Sequence, residues 1–278
     1  MQKPITLPSG ETVSNIGLGT WRMGENPRSR EQEVKALRAG LELGINLIDT
    51  AEMYGEGGAE KIIAEAIDGH RDDVLLVSKV YPHNASRKGA IKACERSLQR
   101  LRTDRIDLYL LHWRGQIPLS ETLEAFQQLV AAGKIRHFGV SNFDKDDMDE
   151  WYALDGGEKT ASNQLIYNLN RRGIEWDLLS WCTDRGIPVM AYSPLDQGAL
   201  NNHAALKKIA NRYDVTSLQI ALAWVLHQDN VIVIPKAANL KHVEQNRAAL
   251  DIELDQADLA ELDRVFPPPG SAQPLDIL

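Results

Sequence analysis

Cysteine is almost absent from this sequence, with only Cys94 and Cys182 in 278 residues. They fall far apart in predicted helices without partners at metal-ligand spacing, so neither a disulfide framework nor a zinc site is expected, only two inert buried thiols. Cationic charge is also scarce: 31 Lys and Arg stand against 39 Asp and Glu, a net charge of −8. A general grip on nucleic acid is therefore not expected, because phosphate binding draws on clustered cations. Long apolar runs are missing too. The longest, Ile220 to Leu226, is far too short to span a bilayer, and the opening MQKPITLPSGETV has no apolar core for a signal peptide. A cytoplasmic protein with no membrane partner, working as a monomer, is the expectation. Metal hydrolysis is not suggested either. His112 alone stands at a strand end, while His137 precedes the end of its strand and His83 lies in a loop.

What is present is an ordinary globular composition, 43% hydrophobic and 25% charged. Short apolar runs alternate with longer amphipathic stretches from about residue 16 to about residue 250, as βα units require. The strand candidates are Ile16–Gly19, Ile45–Ile48, Val74–Ser78, Ile106–Leu111, Ile135–Val140, Ala161–Gln164, Ile187–Ala191 and Val231–Ile234. Each is mostly apolar on both alternating sides, as where both sheet faces are covered. Val34, Leu37 and Leu41 share one helical stripe, and Ile91, Cys94, Leu98 and Leu101 another. Ser29 with Gln32, and Thr216 with Gln219, have capping-box spacing, and Gly44, Gly133 and Gly186 close helices just before strands. An open doubly wound sheet also fits such units. A count of about eight strands without a composition break favours closure into a single (β/α)8 TIM barrel, an α/β fold over residues 1–278. The segment ITLPSGETVSN reads as a β-hairpin around Pro8, Ser9 and Gly10 that plugs the N-terminal end of the barrel. The tail PPPGSAQPLDIL is too short and proline-rich to add an element.

Nearly every predicted strand ends in a polar or ionisable residue: Asp49, Lys79, His112, Ser141 and Asn142, Gln164, Tyr192, Lys236. In a barrel these converge on the C-terminal rim, where barrel enzymes place their sites. Asp49, Lys79 and His112 come from neighbouring strands, and Tyr54 follows Asp49 by five residues. A tyrosine donates a proton more easily when a nearby cation stabilises its phenolate. A fall of roughly two to three pKa units, about 3–4 kcal/mol, is the scale expected from Lys79. His112 is placed to hydrogen-bond a carbonyl oxygen. Taken singly each residue has a plainer role: a satisfied structural histidine, a helix-start Asp–Thr pair, a snorkelling lysine, a loop aromatic. Their convergence on one rim is what points to a site. Gly17–Leu18–Gly19–Thr20–Trp21–Arg22 lacks the third glycine and the following helix of a dinucleotide fingerprint. It reads as a Gly-rich turn where a ligand approaches Gly19, Thr20 and Trp21.

Five stretches carry a family resemblance: GINLIDTAEMYGEGGAEKIIAEAI, LLHW, GVSNF, AYSPL and VIPKA, in order along essentially the whole chain. The chain resembles the aldo-keto reductases, and most of all a compact bacterial branch that reduces methylglyoxal, other small 2-oxoaldehydes and some aromatic aldehydes. The resemblance implies NADP(H), with NAD(H) as the alternative, and a catalytic tetrad of Asp49, Tyr54, Lys79 and His112 with Tyr54 as proton donor. It implies that Ser141, Asn142 and Gln164 hold the nicotinamide carboxamide, that Tyr192 stacks on the ring, and that the loop from Ser193 through Leu195 to Leu200 covers the pyrophosphate. Lys236, Asn239, His242, Gln245 and Asn246 match further cofactor positions, and Asp49 lies beside the nicotinamide. Ala237 stands where many relatives have serine. His242 stands where many have an arginine, and an imidazole lacks the guanidinium fork for a 2′-phosphate, so a preference for NADPH rests mainly on Lys236. Trp21, Met53, Tyr81 and Trp113 are placed to line a pocket for a small carbonyl substrate, more open than in relatives with long C-terminal loops. Two other readings fit the same barrel: a cofactor-sensing binding protein, and a lyase or isomerase holding a sugar phosphate through Lys236.

Overall fold

The computed structural model describes residues 4–278. Its chain opens with a hairpin, β1 (Ile5–Thr6) antiparallel to β2 (Thr12–Val13), as the Pro8–Gly10 turn predicts. Eight strands follow among the described residues: β3 (Gly17–Gly19), β4 (Leu47–Asp49), β5 (Leu75–Val80), β6 (Ile106–Leu111), β7 (Ile135–Ser141), β8 (Asn163–Ile166), β9 (Val189–Tyr192) and β10 (Val231–Val233). They lie side by side in sequence order, each parallel to the next. Bridges from Ile16 to Val233 and from Gly19 to Lys236 close the sheet into a barrel. The seam leaves no room for a side chain at Gly19, where a Cβ would stand 2.8 Å from the Ile234 carbonyl oxygen. Barrel closure is thus the first reason for glycine there.

The helices are α1 (Arg30–Glu42), α2 (Gly58–Ala66), α3 (Arg87–Leu101), α4 (Leu119–Ala131), α5 (Lys145–Tyr152), α6 (Leu178–Asp184), α7 (Ala204–Tyr213), α8 (Ser217–His227), α9 (Leu240–Ala248) and α10 (Gln256–Val265). Val34 and Leu37 on α1, and Cys94, Leu98 and Leu101 on α3, are buried as the stripes require. They join the large apolar layer between helices and sheet. A second cluster fills the barrel itself, with Leu47, Val77, Leu108, Leu110, Met190 and Ile232 capped by Ile5, Leu7 and Val13 of the hairpin segment. Glu11 fastens that plug to β7 through His137 at 2.8 Å and Arg136 at 3.0 Å.

The Thr216–Gln219 capping box forms at the start of α8, and Gly44, Gly133 and Gly186 adopt positive φ after their helices. The Ser29–Gln32 box does not form. Pro27 starts a 3₁₀ turn that is capped by Asn26, so Ser29 is already in a helical conformation, φ −88° and ψ −11°, and its hydroxyl caps nothing.

Candidate active site

At the C-terminal end of the barrel, β4 and β5 bring Asp49 and Lys79 together. Lys79 is fully buried, and its Nζ lies 2.8 Å from Asp49 Oδ1 and 2.9 Å from Oδ2. The ammonium also donates to the Thr50 carbonyl at 2.8 Å and to the Tyr54 hydroxyl at 3.2 Å. Asp49 is held from the other side, since Gln164 Nε2 donates to Oδ1 at 2.8 Å. Tyr54 reaches this group because the chain reverses directly after it. Gly55, Glu56 and Gly57 all have positive φ, turning the backbone from the rim into α2. His112, just past β6, completes the arc with its ring centroid 5.8 Å from that of Tyr54 in an edge-on arrangement.

The electrostatics differ from the expectation for Tyr54. Burial pushes its phenol well above the usual tyrosine value, and the Asp49 carboxylate adds to that rise. Lys79 does not reverse it because its charge is already matched by Asp49, leaving a dipole rather than a free cation beside the hydroxyl. Burial likewise draws the Lys79 ammonium below its usual value, against the pull of Asp49. His112 is held well below 6.5, first by burial and then by the Lys79 charge. Its imidazole is therefore neutral near pH 7. Nδ1 is buried without a hydrogen-bond partner, which leaves Nε2 as the nitrogen available to the cleft.

The sign of the resulting pH effect on stability is fixed. Below about pH 6.5 the unfolded chain protonates this histidine while the folded chain does not. Stability is thus present above the unfolded value and falls as pH drops toward the depressed folded one. Denaturant midpoints measured between pH 7.5 and about 5 are expected to decline, and His112→Asn is expected to flatten part of that decline. An unchanged slope in the variant would contradict the assigned cause.

The remaining rim residues form a polar border. Ser141 ends β7 and donates to the Gln164 carbonyl at 2.9 Å. Asn142, at φ 56°, donates to the His112 carbonyl at 3.1 Å and accepts from the Tyr192 hydroxyl at 2.9 Å. Gln164 lies second in β8 rather than at its end, beside Ser141 and Met190; its amide nitrogen also reaches Met190 Sδ at 3.0 Å. The Thr20 hydroxyl donates to the Asp49 carbonyl at 2.8 Å. Ser193, Asp196 and Gln197 all have positive φ, and Leu195 is half-buried between them. Such conformations gather where a ligand-shaping loop is held by its surroundings. Lys236 is exposed just beyond β10. Asn239 caps α9 by accepting from the His242 backbone at 2.9 Å, and its side chain also meets His242 Nδ1 at 3.1 Å. His242, Gln245 and Asn246 follow at helical spacing on that helix.

Of the expected pocket residues, Tyr81 and Trp113 meet edge-on at 5.8 Å, and Trp113 lies 4.9 Å from His112. They form an aromatic wall continuing from the site. Met53 is half-buried, whereas Trp21 is 36% exposed with the Arg22 guanidinium over its ring. The tail adds no helix or strand, yet it crosses the rim. Asp276 pairs with Arg171 at 3.0 Å, and the Leu278 N–H donates to the Tyr192 hydroxyl at 3.4 Å. Sequence reasoning missed that contact. It also missed Glu52, a buried carboxylate beside Tyr54 whose partners lie in another loop. The run DTAEMY was the available signal, since a glutamate amid buried residues demands donors.

A barrel with a tyrosine hydroxyl, a buried ion pair and an imidazole gathered on its rim defines a class, and comparison assigns it: residues 15–266 match the aldo/keto reductase family model, and the chain belongs to that family. It is 51% identical to methylglyoxal reductase YeaE of Escherichia coli K12, over all of this chain and 99% of that protein. It is 32% identical to glyoxal reductase of Bacillus subtilis, over 95% of this chain and 92% of the relative. The crystal structure of an aldo/keto reductase from Klebsiella pneumoniae in complex with NADP and acetate superposes with a TM-score of 0.98 at 51% identity, each chain covered completely. No helix among the described residues is long and apolar enough to cross a membrane.

Proposed function

We propose that the protein reduces small aldehydes and ketones, 2-oxoaldehydes such as methylglyoxal foremost, to alcohols with NADPH, and with NADH as the weaker alternative. The observation that carries this reading is the Tyr54 hydroxyl 3.2 Å from a Lys79 ammonium that is itself clamped on Asp49. The likeness to enzymes named as methylglyoxal and glyoxal reductases supports it.

The residues present suit a dinucleotide. The Tyr192 ring offers a flat, half-buried face, and Ser141, Asn142 and Gln164 offer hydroxyl and amide groups matched to a carboxamide. The Asn239-capped start of α9, with exposed Lys236 nearby, offers N–H groups and positive charge for phosphate. Gly19, Thr20 and Trp21 border the same rim, the Ser193–Leu195 loop would help to hold the diphosphate, and His242, Gln245 and Asn246 would serve the adenosine portion. When bound there, the cofactor supplies the hydride.

The chain's own groups do the rest. His112 Nε2 orients the substrate oxygen by a neutral hydrogen bond, and Tyr54 passes its proton to that oxygen as negative charge develops on it. The raised phenol value keeps the acid form populated throughout the neutral range. An alkoxide is a far stronger base than a phenolate, so the transfer runs downhill even from a reluctant phenol. Lys79 then stabilises the phenolate at 3.2 Å. Tyr81, Trp113, Met53 and Trp21 bound the space for a compact carbonyl. The same reading places the chain as a monomer in the cytoplasm, in keeping with its two free, buried thiols.

The test is steady-state oxidation of NADPH and NADH with methylglyoxal, glyoxal, aromatic aldehydes and aldoses. Turnover is expected with the 2-oxoaldehydes, faster with NADPH. Stoichiometric cofactor binding without turnover on any aldehyde would replace this reading with that of a cofactor sensor.

A further inference from the structure

Glu52 takes no part in the chemistry above, yet it is only 8% exposed and stands two residues before Tyr54. Its carboxylate leaves its own loop for the next one. Oε1 accepts from the Tyr81 backbone N–H at 2.9 Å and from Asn84 Nδ2 at 3.0 Å, and Oε2 lies 3.5 Å from the Arg96 guanidinium on α3. The Glu52 N–H meanwhile donates to the Lys79 carbonyl at 3.3 Å. A buried carboxylate is costly unless such donors surround it. Here every side-chain donor belongs to the β5–α3 segment, the one that carries Tyr81.

The geometry points to Glu52 as a positioning residue that ties the loop bearing Tyr54 to the loop bearing the Tyr81–Trp113 wall, and so sets the width of the cleft between them. The two loops leave separate strands, and above the sheet this carboxylate is their side-chain tether. Tyr81 passes the constraint on through its packing against Trp113 and His83, with ring centroids 5.8 Å and 4.6 Å away. A small carbonyl makes few contacts of its own, so its hold against the acid depends on the walls being fixed. A bulky aromatic aldehyde makes more contacts and depends on that fixity less. Losing the tether therefore costs small substrates more than large ones, an inference that rests on the reading of Tyr54 as the proton donor.

The test compares Glu52→Leu, which keeps the bulk and removes both acceptors, with Glu52→Gln, which keeps one oxygen able to accept both bonds. Glu52→Leu is expected to lower kcat/KM for methylglyoxal by roughly 10- to 100-fold, mainly through kcat. The loss for 4-nitrobenzaldehyde should be several-fold smaller, and NADPH affinity should be unchanged. Glu52→Gln should recover most of the difference. Asn84→Ala, which removes one donor and leaves the carboxylate, should shift the substrate ratio the same way by less. Equal losses for both aldehydes, tracking the thermal midpoint, would overturn the proposal, as would wild-type kinetics in Glu52→Leu. Hydrogen exchange at the Tyr81 amide judges the tether without catalysis: slow in the wild type and fast in Glu52→Leu if it exists, alike in both if it does not. A wild type that reduces neither aldehyde but loses Tyr81 protection in Glu52→Leu would sink the functional reading and leave the tether standing.

Discussion

Tyr54→Phe is expected to lower kcat for carbonyl reduction by about 10²- to 10⁴-fold, the range for loss of a positioned general acid, while the dissociation constant for NADPH stays near wild type. The phenyl ring keeps the packing against His112 and removes only the hydroxyl that faces Lys79. Little change in stability should follow, because that hydroxyl accepts from an ammonium with two better partners, Asp49 and Thr50. In the free enzyme the raised phenol value predicts a second signature. The kcat/KM for reduction should show no basic limb from Tyr54 below about pH 10, since the acid form persists that far. Steady-state kinetics across pH, with cofactor binding followed by nucleotide fluorescence, checks both parts. A basic limb near neutrality that vanishes in Tyr54→Phe would mean that the phenol is depressed, not raised.

Lys79→Met should damage both stability and chemistry. The substitution leaves the Asp49 carboxylate, 3% exposed, without its cation and with Gln164 as its remaining side-chain donor. Breaking a buried pair from one side costs about 3–5 kcal/mol, enough to move a denaturant midpoint plainly. Activity should fall at least as far as in Tyr54→Phe, because the phenolate then forms beside an uncompensated carboxylate. Adding Asp49→Asn removes the orphaned charge, and the double variant should regain much of the stability but none of the activity. Equilibrium unfolding in urea alongside turnover separates the two effects. If Lys79→Met unfolds at the wild-type midpoint, the pair is not the buried bridge described.

The barrel was legible because its information is local. Most strands are short apolar runs, and all eight predicted segments became strands, with ends displaced by at most two residues. The displacement has a reason: Ile187 and Pro188 are apolar because they are covered at the bottom of the barrel, yet the ladder of β9 begins at Val189. The gathering of Asp49, Tyr54, Lys79 and His112 was legible because strand ends in a barrel share one rim, so position in sequence fixes neighbourhood. Three features were not readable for the converse reason. Ser29 failed as a cap because Pro27 had already turned the chain. Tyr54 rises rather than falls because the balance between burial and a paired cation depends on how tightly Asp49 holds Lys79. Glu52 binds backbone and side chain 29 and 32 residues away, and no spacing rule spans two loops.

One labelled turnover tests the centre of this account. Wild type and Tyr54→Phe are each mixed in excess with NADPH deuterated at the transferable position of the nicotinamide and with methylglyoxal, and the deuterium in the alcohol product is followed over time. Deuterium is expected on the former carbonyl carbon in the wild type, and the same product from Tyr54→Phe about 10²- to 10⁴-fold more slowly. Unlabelled product from the wild type, or label arriving equally fast in both proteins, would contradict it.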